Sequence, residues 1–195
     1  SCFIIWIFGV KFNIDKLIIF EPSRENHKYL ELLFVDSNTK VENLAVSSVS
    51  GKEKFYFHNQ NSSLSSLHLR NIFKDSDEIE SYDVQVICLK EYLKKNFDNE
   101  IIDFIKIDTE GNEYEVIKGL GNSIKLVKVI QFEFGGANLD TRTIFKDFYH
   151  LFLNNDFELF RISPFGLIKV YRYTEFLEHY RTTNYLARNK KFIDN

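Results

Sequence analysis

The stretch FIKIDTEGNEYEVIKG, residues 104–119, decides the fold. Residues 104–107 are mostly apolar, which predicts a buried strand with Asp108 at its C-terminal end. Residues 112–120 predict a helix that ends at the glycines at positions 119 and 121. A strand that leads through an acidic turn into a helix is the building unit of an α/β domain.

The alternation of strands and helices continues in both directions along the chain. Strands are predicted at residues 17–20, 41–46, 51–58, 83–89 and 127–134, with 83–89 as an edge strand and 59–66 as a polar loop. Helices are predicted after Ser23, over residues 89–97 and over residues 143–154. Strands at 158–162, 167–171 and 185–187 finish the chain. This order predicts an α/β fold with a mainly parallel sheet, helices on both faces and an antiparallel edge.

Length, composition and charge bound the possible functions. The 195 residues (23.1 kDa) predict a single domain over residues 1–195, and the 44% of hydrophobic residues supply a sizeable core. The 25 basic and 28 acidic side chains give a formal charge of −3, so bulk charge does not favour nucleic-acid binding. The longest apolar run, residues 2–8, is far shorter than the roughly 18 residues that span a membrane.

Cysteines, histidines and short motifs narrow the chemistry further. Cys2 and Cys88 form no C-x-x-C pair, and the five histidines show no metal-ligand spacing, so neither a disulfide framework nor a metal centre is predicted. A reducing, cytoplasmic setting is therefore expected. The sequence contains no G-x-S-x-G elbow and no Walker-type phosphate loop, which argues against acyl transfer and nucleotide hydrolysis.

Side chains at strand ends are the candidate functional residues, because ligands of parallel α/β sheets bind outside the carboxyl ends of the strands. Glu21 ends the strand at 17–20, where a carboxylate can accept hydrogen bonds from the two hydroxyls of a ribose. Alternatively, Glu21 is a solvated acid at the strand end, or a helix N-terminal charge that the dipole of the following helix stabilises.

Asp108 and Glu110 follow the central strand and offer either a general base for a substrate hydroxyl or contacts to a cationic cofactor group. The alternative is that they cap the following helix, which explains one carboxylate better than the three at 108–113. Glu133 lies in an aromatic strand, where an unpaired charge is costly. It therefore either faces the cleft at the rim or pairs with a lysine or arginine.

Several segments resemble FkbM-type S-adenosylmethionine-dependent methyltransferases, in the order seen in that family. They are IIFEPS (18–23), VENLAVS (41–47), FIKIDTEGNEYEVIKG (104–119) and QFEF (131–134), and NYLA (184–187) is similar to the family's last strand. The resemblance implies a Rossmann-like methyltransferase fold that moves the methyl group of S-adenosylmethionine to a hydroxyl, commonly on a sugar or a small natural product.

The resemblance also implies roles for individual residues. Asp108 and Glu110 would face the methyl group and the acceptor hydroxyl as catalytic residues. The residues implied to bind the cofactor are Glu21 at the ribose, Asn43, Leu44 and Ala45 on the adenine side, and Asp108. The expected partner is a small-molecule or saccharide acceptor, with its specificity determined in segments 59–80 and 136–143, and the oligomeric state stays open.

The chain departs from the family pattern before residue 17. Families of this kind carry a strand and a glycine-rich D-x-G-x-x-x-G turn before the F-E-P strand, and nothing upstream of Leu17 resembles it. Residues 1–10 are interpreted as a remnant of the first helix, with the first strand absent, so residues 1–195 alone are expected to bind S-adenosylmethionine weakly or not at all. Two alternatives stay open: a degenerate, non-enzymatic Rossmann-like binding module, and an NAD-dependent oxidoreductase, since Glu21 would suit an NAD ribose equally well.

Overall fold

The computed structural model describes residues 14–35, 38–58, 61–70, 79–97 and 99–193. The interpretation of residues 1–10 as a helix remnant lies outside these ranges. The strands are β1 (Leu17–Phe20), β2 (Thr39–Glu42), β3 (Ala45–Ser47), β4 (Gly51–His58), β5 (Asn61–Ser66), β6 (Ile79–Cys88), β7 (Ile102–Ile107), β8 (Val127–Phe134), β9 (Phe157–Ser163), β10 (Gly166–Val170) and β11 (Thr183–Asn189). The α-helices are α1 (Arg24–Leu33), α2 (Leu89–Phe97), α3 (Glu113–Gly119), α4 (Ala137–Asp140) and α5 (Phe145–Asn154), and short 3₁₀ helices span Gly121–Leu126, Glu175–Leu177 and Lys190–Phe192.

The strands form three sheets with mixed pairing. The largest sheet has the order β10-β9-β11-β8-β7, a four-stranded sheet has the order β3-β6-β4-β5, and β1 pairs with β2. Within the described ranges, three of the eight pairings are parallel (β1–β2, β3–β6 and β7–β8) and five are antiparallel. The α/β class and the antiparallel edge are confirmed, but the sheets are mixed and not mainly parallel as predicted.

The four-stranded sheet accounts for much of the difference. The predicted polar loop at 59–66 contains strand β5, which pairs with β4, and strand β6 lies between β3 and β4 and is not at an edge. The predicted strand at 41–46 is two strands, because the chain leaves β2 at Glu42 and enters another sheet at Ala45. Short connections cannot make a parallel crossover, so the β4–β5 hairpin is necessarily antiparallel.

One aromatic core joins the sheets. Phe132 of β8 stacks on Phe148 of α5 with ring centroids 4.9 Å apart, and the ring of Phe145 lies 4.5 Å from that of Tyr185 on β11. Phe145, Phe148 and Phe152 are the buried residues of α5. Phe20 of β1 and Val46 of β3 belong to the same buried cluster, so each smaller sheet contributes to this core. Other buried residues of the two smaller sheets form a cluster of their own in each sheet. None of the helices in the described ranges is both long and apolar enough to cross a membrane.

The register of β7 and β8 places the acidic side chains. Ile107 of β7 pairs with Phe132 of β8 in parallel. Asp108 and Glu133 are the next residues along each strand, so they lie side by side at the carboxyl edge of the sheet. Successive side chains of a strand alternate between its faces, so Glu133 is on the opposite face from Phe132 and the aromatic core.

Candidate active site

The structure assembles a carboxylate cluster, defined here as Asp108, Glu110 and Glu133. Each of the three side chains offers an oxygen that lies within 4.8 Å of the others, and all three are half-buried. The two predicted catalytic residues, Asp108 and Glu110, are therefore neighbours in space. Glu133 joins them from the adjacent strand.

The three carboxylates differ in how their charge is balanced. Lys106 Nζ lies 2.9 Å from Oδ2 of Asp108, and Arg70 Nη1 lies 2.8 Å from Oε2 of Glu110. Glu133 makes no ion pair with any residue in the described ranges. Of the two interpretations of Glu133, pairing with a lysine or arginine is therefore not observed in the described ranges, and a position that faces the cleft stays a prediction.

Burial raises the pKa of Glu133 to about 7, and the negative charges of Asp108, Glu110 and Glu113 act in the same direction. Burial also raises the pKa of Glu110, against the lowering effect of Arg70. Glu133 therefore exchanges its proton near neutral pH, which is the range that suits a general base.

Glu113 builds the acidic turn, residues 108–113. Its buried carboxylate accepts hydrogen bonds from the backbone N–H groups of Thr109 at 2.8 Å and of Gly111 at 3.0 Å. Burial raises the pKa of Glu113, although these donors oppose the rise. Glu113 therefore stabilises the turn itself. The N-cap of α3, Asn112, makes no side-chain capping bond, so capping does not account for Asp108 and Glu110.

An open cleft lies beside the acidic turn. Its lining comes from the ends of β1 and β2, from the four-stranded sheet and from the acidic turn: Pro22, Leu44, Ala45, Val46, Phe55, Ser66, Leu67, Thr109 and Asn112. Leu44 and Ala45, two of the residues predicted on the adenine side, line this cleft. Asn43 does not line the cleft, and its side-chain amide donates to the carbonyl oxygens of Glu21 at 2.9 Å and Pro22 at 3.3 Å. Asn43 thus ties the ends of β1 and β2 together.

Glu21 is fully buried at the end of β1. Its Oε1 accepts a hydrogen bond from the backbone N–H of Ser23 at 2.8 Å, and Ser23 is the N-cap of α1, as predicted. This contact is the one expected of a helix N-terminal acid. The ribose role of Glu21 stays a prediction.

The spacing of the carboxylate cluster is one that a divalent cation can bridge with oxygen ligands. Lys106 and Arg70 already pair with two of the three carboxylates, and the third, Glu133, has a pKa of about 7, so both its protonated and ionised forms are populated near neutral pH. The charge of the cluster is therefore largely balanced by residues of the chain itself. The lack of metal-ligand spacing among the histidines says nothing about this cluster, because its ligand atoms would all be carboxylate oxygens.

Sequence reasoning missed three residues of the site, Ser66, His68 and Arg70, which contact the acidic turn. They lie in or directly after the segment predicted as a polar loop. No spacing pattern in the sequence relates position 70 to position 110, because only the tertiary fold brings them together.

Comparison with known proteins adds one finding on family. The Methyltransferase FkbM domain matches residues 10–159, which is most of the chain. No curated protein and no solved structure matches the sequence.

Proposed function

The chain belongs to the FkbM methyltransferase domain family, and from this membership we propose that it moves a methyl group from S-adenosylmethionine to a hydroxyl of a sugar or small natural product. The observation that carries the proposal is the carboxylate cluster next to the apolar cleft. Methyl transfer to a hydroxyl requires alignment of the two reactants and removal of the hydroxyl proton. The carboxyl edge of β7 and β8 has side chains for both tasks.

The residues of the cleft fit the proposed cofactor. Leu44 and Ala45 offer apolar surface to a flat adenine ring. Glu21 is the candidate for the ribose; it is fully buried next to Pro22 and does not itself line the cleft. When bound, S-adenosylmethionine supplies a methyl group that is activated by a positively charged sulfur.

The carboxylate cluster has a division of roles in this proposal. Asp108 and Glu110 face the methyl group and the acceptor, and their negative charges favour a cationic cofactor group. Glu133 accepts the proton of the acceptor hydroxyl, because no described cation pairs with it and its pKa is about 7. Asp108 and Glu110 are weaker candidates for this step, since each already pairs with a cation, Lys106 at 2.9 Å and Arg70 at 2.8 Å.

The experiment that tests the proposal uses the protein expressed from its complete gene. Calorimetric titration with S-adenosylhomocysteine is expected to give a dissociation constant in the micromolar range, unaffected by NAD. Transfer of a labelled methyl group to a panel of sugars and small hydroxylated compounds identifies the acceptor. If the protein binds NAD and not S-adenosylhomocysteine, the alternative function as an NAD-dependent oxidoreductase is correct. If it binds neither ligand, the alternative of a non-enzymatic binding module is correct.

The variant Glu133→Gln tests the assignment of the base. We expect it to bind S-adenosylhomocysteine like the wild type and to lose about 10²- to 10⁴-fold in methyl transfer, the usual contribution of a general base. Glu158→Gln on β9 is the matched control, since Glu158 pairs with Lys169 and Arg188 away from the cluster. A Glu133→Gln variant with wild-type activity would exclude Glu133 as the base.

A further inference from the structure

Arg70 joins three parts of the site that are far apart in the sequence. Its side chain is 10% exposed, with Nη1 2.8 Å from Oε2 of Glu110 and Nε 3.1 Å from Oδ2 of Asp140. Glu110 follows β7, and Asp140 is the last residue of α4, which follows β8. One nearly buried guanidinium therefore bridges the loops after two neighbouring strands of the large sheet.

Two further side chains of the latch segment, defined as residues 65–70, contact the acidic turn. Ser66 Oγ donates a hydrogen bond to the carbonyl oxygen of Glu110 at 2.9 Å, and Nε2 of His68 lies 3.2 Å from Oδ1 of Asn112. Ser66 is itself buried. The four-stranded sheet is thus fixed to the acidic turn at three points, and the contact of Arg70 is the permanently charged one.

These contacts act on a residue with an unfavourable backbone conformation. Glu110 has a φ of +52°, in the left-handed region, and Gly111 follows it with a φ of +107°. The left-handed region is unfavourable for a residue with a β-carbon, so surrounding structure must hold Glu110 there. Arg70 binds its carboxylate and Ser66 binds its carbonyl group, which are the contacts that do so.

The latch segment and the acidic turn are also two walls of the cleft. Ser66 and Leu67 line the cleft from the latch segment, and Thr109 and Asn112 line it from the acidic turn. The distance between these walls depends on the contacts that join the two segments. Arg70 makes the strongest kind of contact among them, since charge-assisted hydrogen bonds exceed neutral ones.

We propose that Arg70 is a positioning residue of the cofactor site: by bridging Glu110 and Asp140 it fixes the latch segment to the acidic turn and sets the width of the cleft. This inference rests on the proposed function, because it takes the cleft as the place where the cofactor binds. Arg70 itself does not line the cleft. Its effect on the ligand is therefore indirect, through Leu67 and Thr109.

The test compares Arg70→Gln, Arg70→Lys and Asp140→Asn with the wild type, all expressed from the complete gene. Amide hydrogen exchange in the acidic turn, measured without ligand, reports whether the latch segment still stabilises that turn. Calorimetric titration with S-adenosylhomocysteine reports whether the width of the cleft matters for binding. Thermal unfolding monitors the fold of each variant.

Faster exchange in residues 108–113 and a loss of affinity of up to about a hundredfold are expected for Arg70→Gln, because hydrogen bonds to a charged group contribute enough free energy for a change of this size. Arg70→Lys is expected to show slower exchange and higher affinity than Arg70→Gln without reaching wild-type values, since lysine keeps the charge but lacks the planar fork that spans two carboxylates. Asp140→Asn leaves the pair with Glu110 intact and should fall between wild type and Arg70→Gln. If Arg70→Gln does not fold, Arg70→Lys and Asp140→Asn carry the test.

Arg188→Gln is the matched control, because Arg188 also lies 2.8 Å from a carboxylate, that of Glu158, but on a part of β11 that pairs with the start of β8. Unchanged exchange in the Arg70 variants would overturn the proposal. Faster amide exchange combined with wild-type affinity for S-adenosylhomocysteine would also overturn it, because Arg70 would then stabilise the acidic turn without affecting ligand binding. A wild-type protein that does not bind S-adenosylhomocysteine would overturn the proposed function first, and the wild-type titration identifies that case.

Discussion

At the scale of single residues, Glu133 couples the stability of the protein to pH. Its pKa is about 7 in the folded protein and about 4.3 in an unfolded chain. The folded state therefore holds this proton more tightly, and the free energy of unfolding falls as pH rises between these two values. Glu133→Gln cannot ionise, so we expect urea denaturation at pH 5 and pH 8 to show a smaller fall than in the wild type.

A residual fall is expected in Glu133→Gln, because burial raises the pKa of Glu110 and Glu113 in the same direction. Glu158→Gln is the control. Lys169 and Arg188 lower the pKa of Glu158, so it titrates below pH 5 and its substitution leaves the pH 5 to 8 difference unchanged. If the free energy of unfolding falls equally between pH 5 and pH 8 in Glu133→Gln and in the wild type, the raised pKa of Glu133 is contradicted.

Removal of the Tyr185 hydroxyl is a second change with a predictable effect on stability. Tyr185 is fully buried in the aromatic core, and its hydroxyl has no hydrogen-bond partner within the part of the chain that the structure describes. Burial raises its pKa to about 12. Tyr185→Phe removes a buried polar atom and keeps the ring, so the free energy of unfolding should stay equal or rise by up to about 1 kcal/mol.

Tyr173→Phe serves as the comparison for Tyr185→Phe in the same denaturation experiment. The hydroxyl of Tyr173 donates a hydrogen bond to Glu178 at 2.9 Å, so its removal is expected to lower stability. A clear loss of stability in Tyr185→Phe would mean that its hydroxyl is hydrogen-bonded in solution.

At the scale of elements, the N-terminus of α5 is capped by a residue that lies 33 positions further along the chain. Its N-cap residue, Ile144, makes no side-chain capping bond, and the carboxylate of Glu178 accepts from the backbone N–H groups of Phe145 at 2.7 Å and Lys146 at 3.0 Å. Glu178→Ala should lower the free energy of unfolding by about 1 kcal/mol, the usual contribution of an N-terminal cap. Chemical denaturation checks this, with Glu175→Ala as a neighbouring control that should have little effect.

The contact of α3 with β3 depends on a glycine. A β-carbon on Gly119 would lie 2.4 Å from the carbonyl oxygen of Ser47, whereas one on Gly51 would meet no atom within 4 Å. Gly119→Ala should therefore lower the free energy of unfolding by about 1–3 kcal/mol, as overpacking usually does. Gly51→Ala is the matched control and should be neutral or stabilising by up to about 1 kcal/mol. Equal stability of the two variants would argue against the close approach.

Elements with a regular apolar pattern were predictable from the sequence. Strands β7 and β8 and helix α5 lie at or within two residues of their predicted bounds, because buried apolar runs and helical spacing are local properties. Strand β5 (Asn61–Ser66) is rich in serine and owes its conformation to pairing with β4, so the sequence predicted a loop there. The change of sheet at residues 43–44 is likewise a property of the tertiary fold.

At the scale of the whole molecule, the single-domain prediction has a direct test. Phe20 of β1 and Val46 of β3 lie in the same buried cluster as Phe132 of the large sheet. Sheets that share one core are expected to unfold together. Circular dichroism and tyrosine fluorescence should therefore give coincident denaturation curves, and two separate transitions would show that a sheet unfolds independently.

The candidate site was predictable only in part. Asp108 and Glu110 follow a recognisable strand, and the position of their motif along the chain indicated them. Arg70 completes the site from a segment with no regular pattern, and its partners lie 40 and 70 positions further along the chain. A sequence reveals which acids stand at strand ends but not which distant cation will reach them.

The cleft combines a rigid half with an adjustable half. Pro22, Leu44 and Phe55 lie in or next to paired strands, whose hydrogen bonds fix their spacing, while Leu67 follows the β4–β5 hairpin outside any strand. Changes in loop length add little entropic cost, so the segment after the hairpin tolerates insertions that paired strands do not. Evolution or engineering can therefore resize the cleft through this segment while the acids keep their places, which separates the choice of ligand from the chemistry.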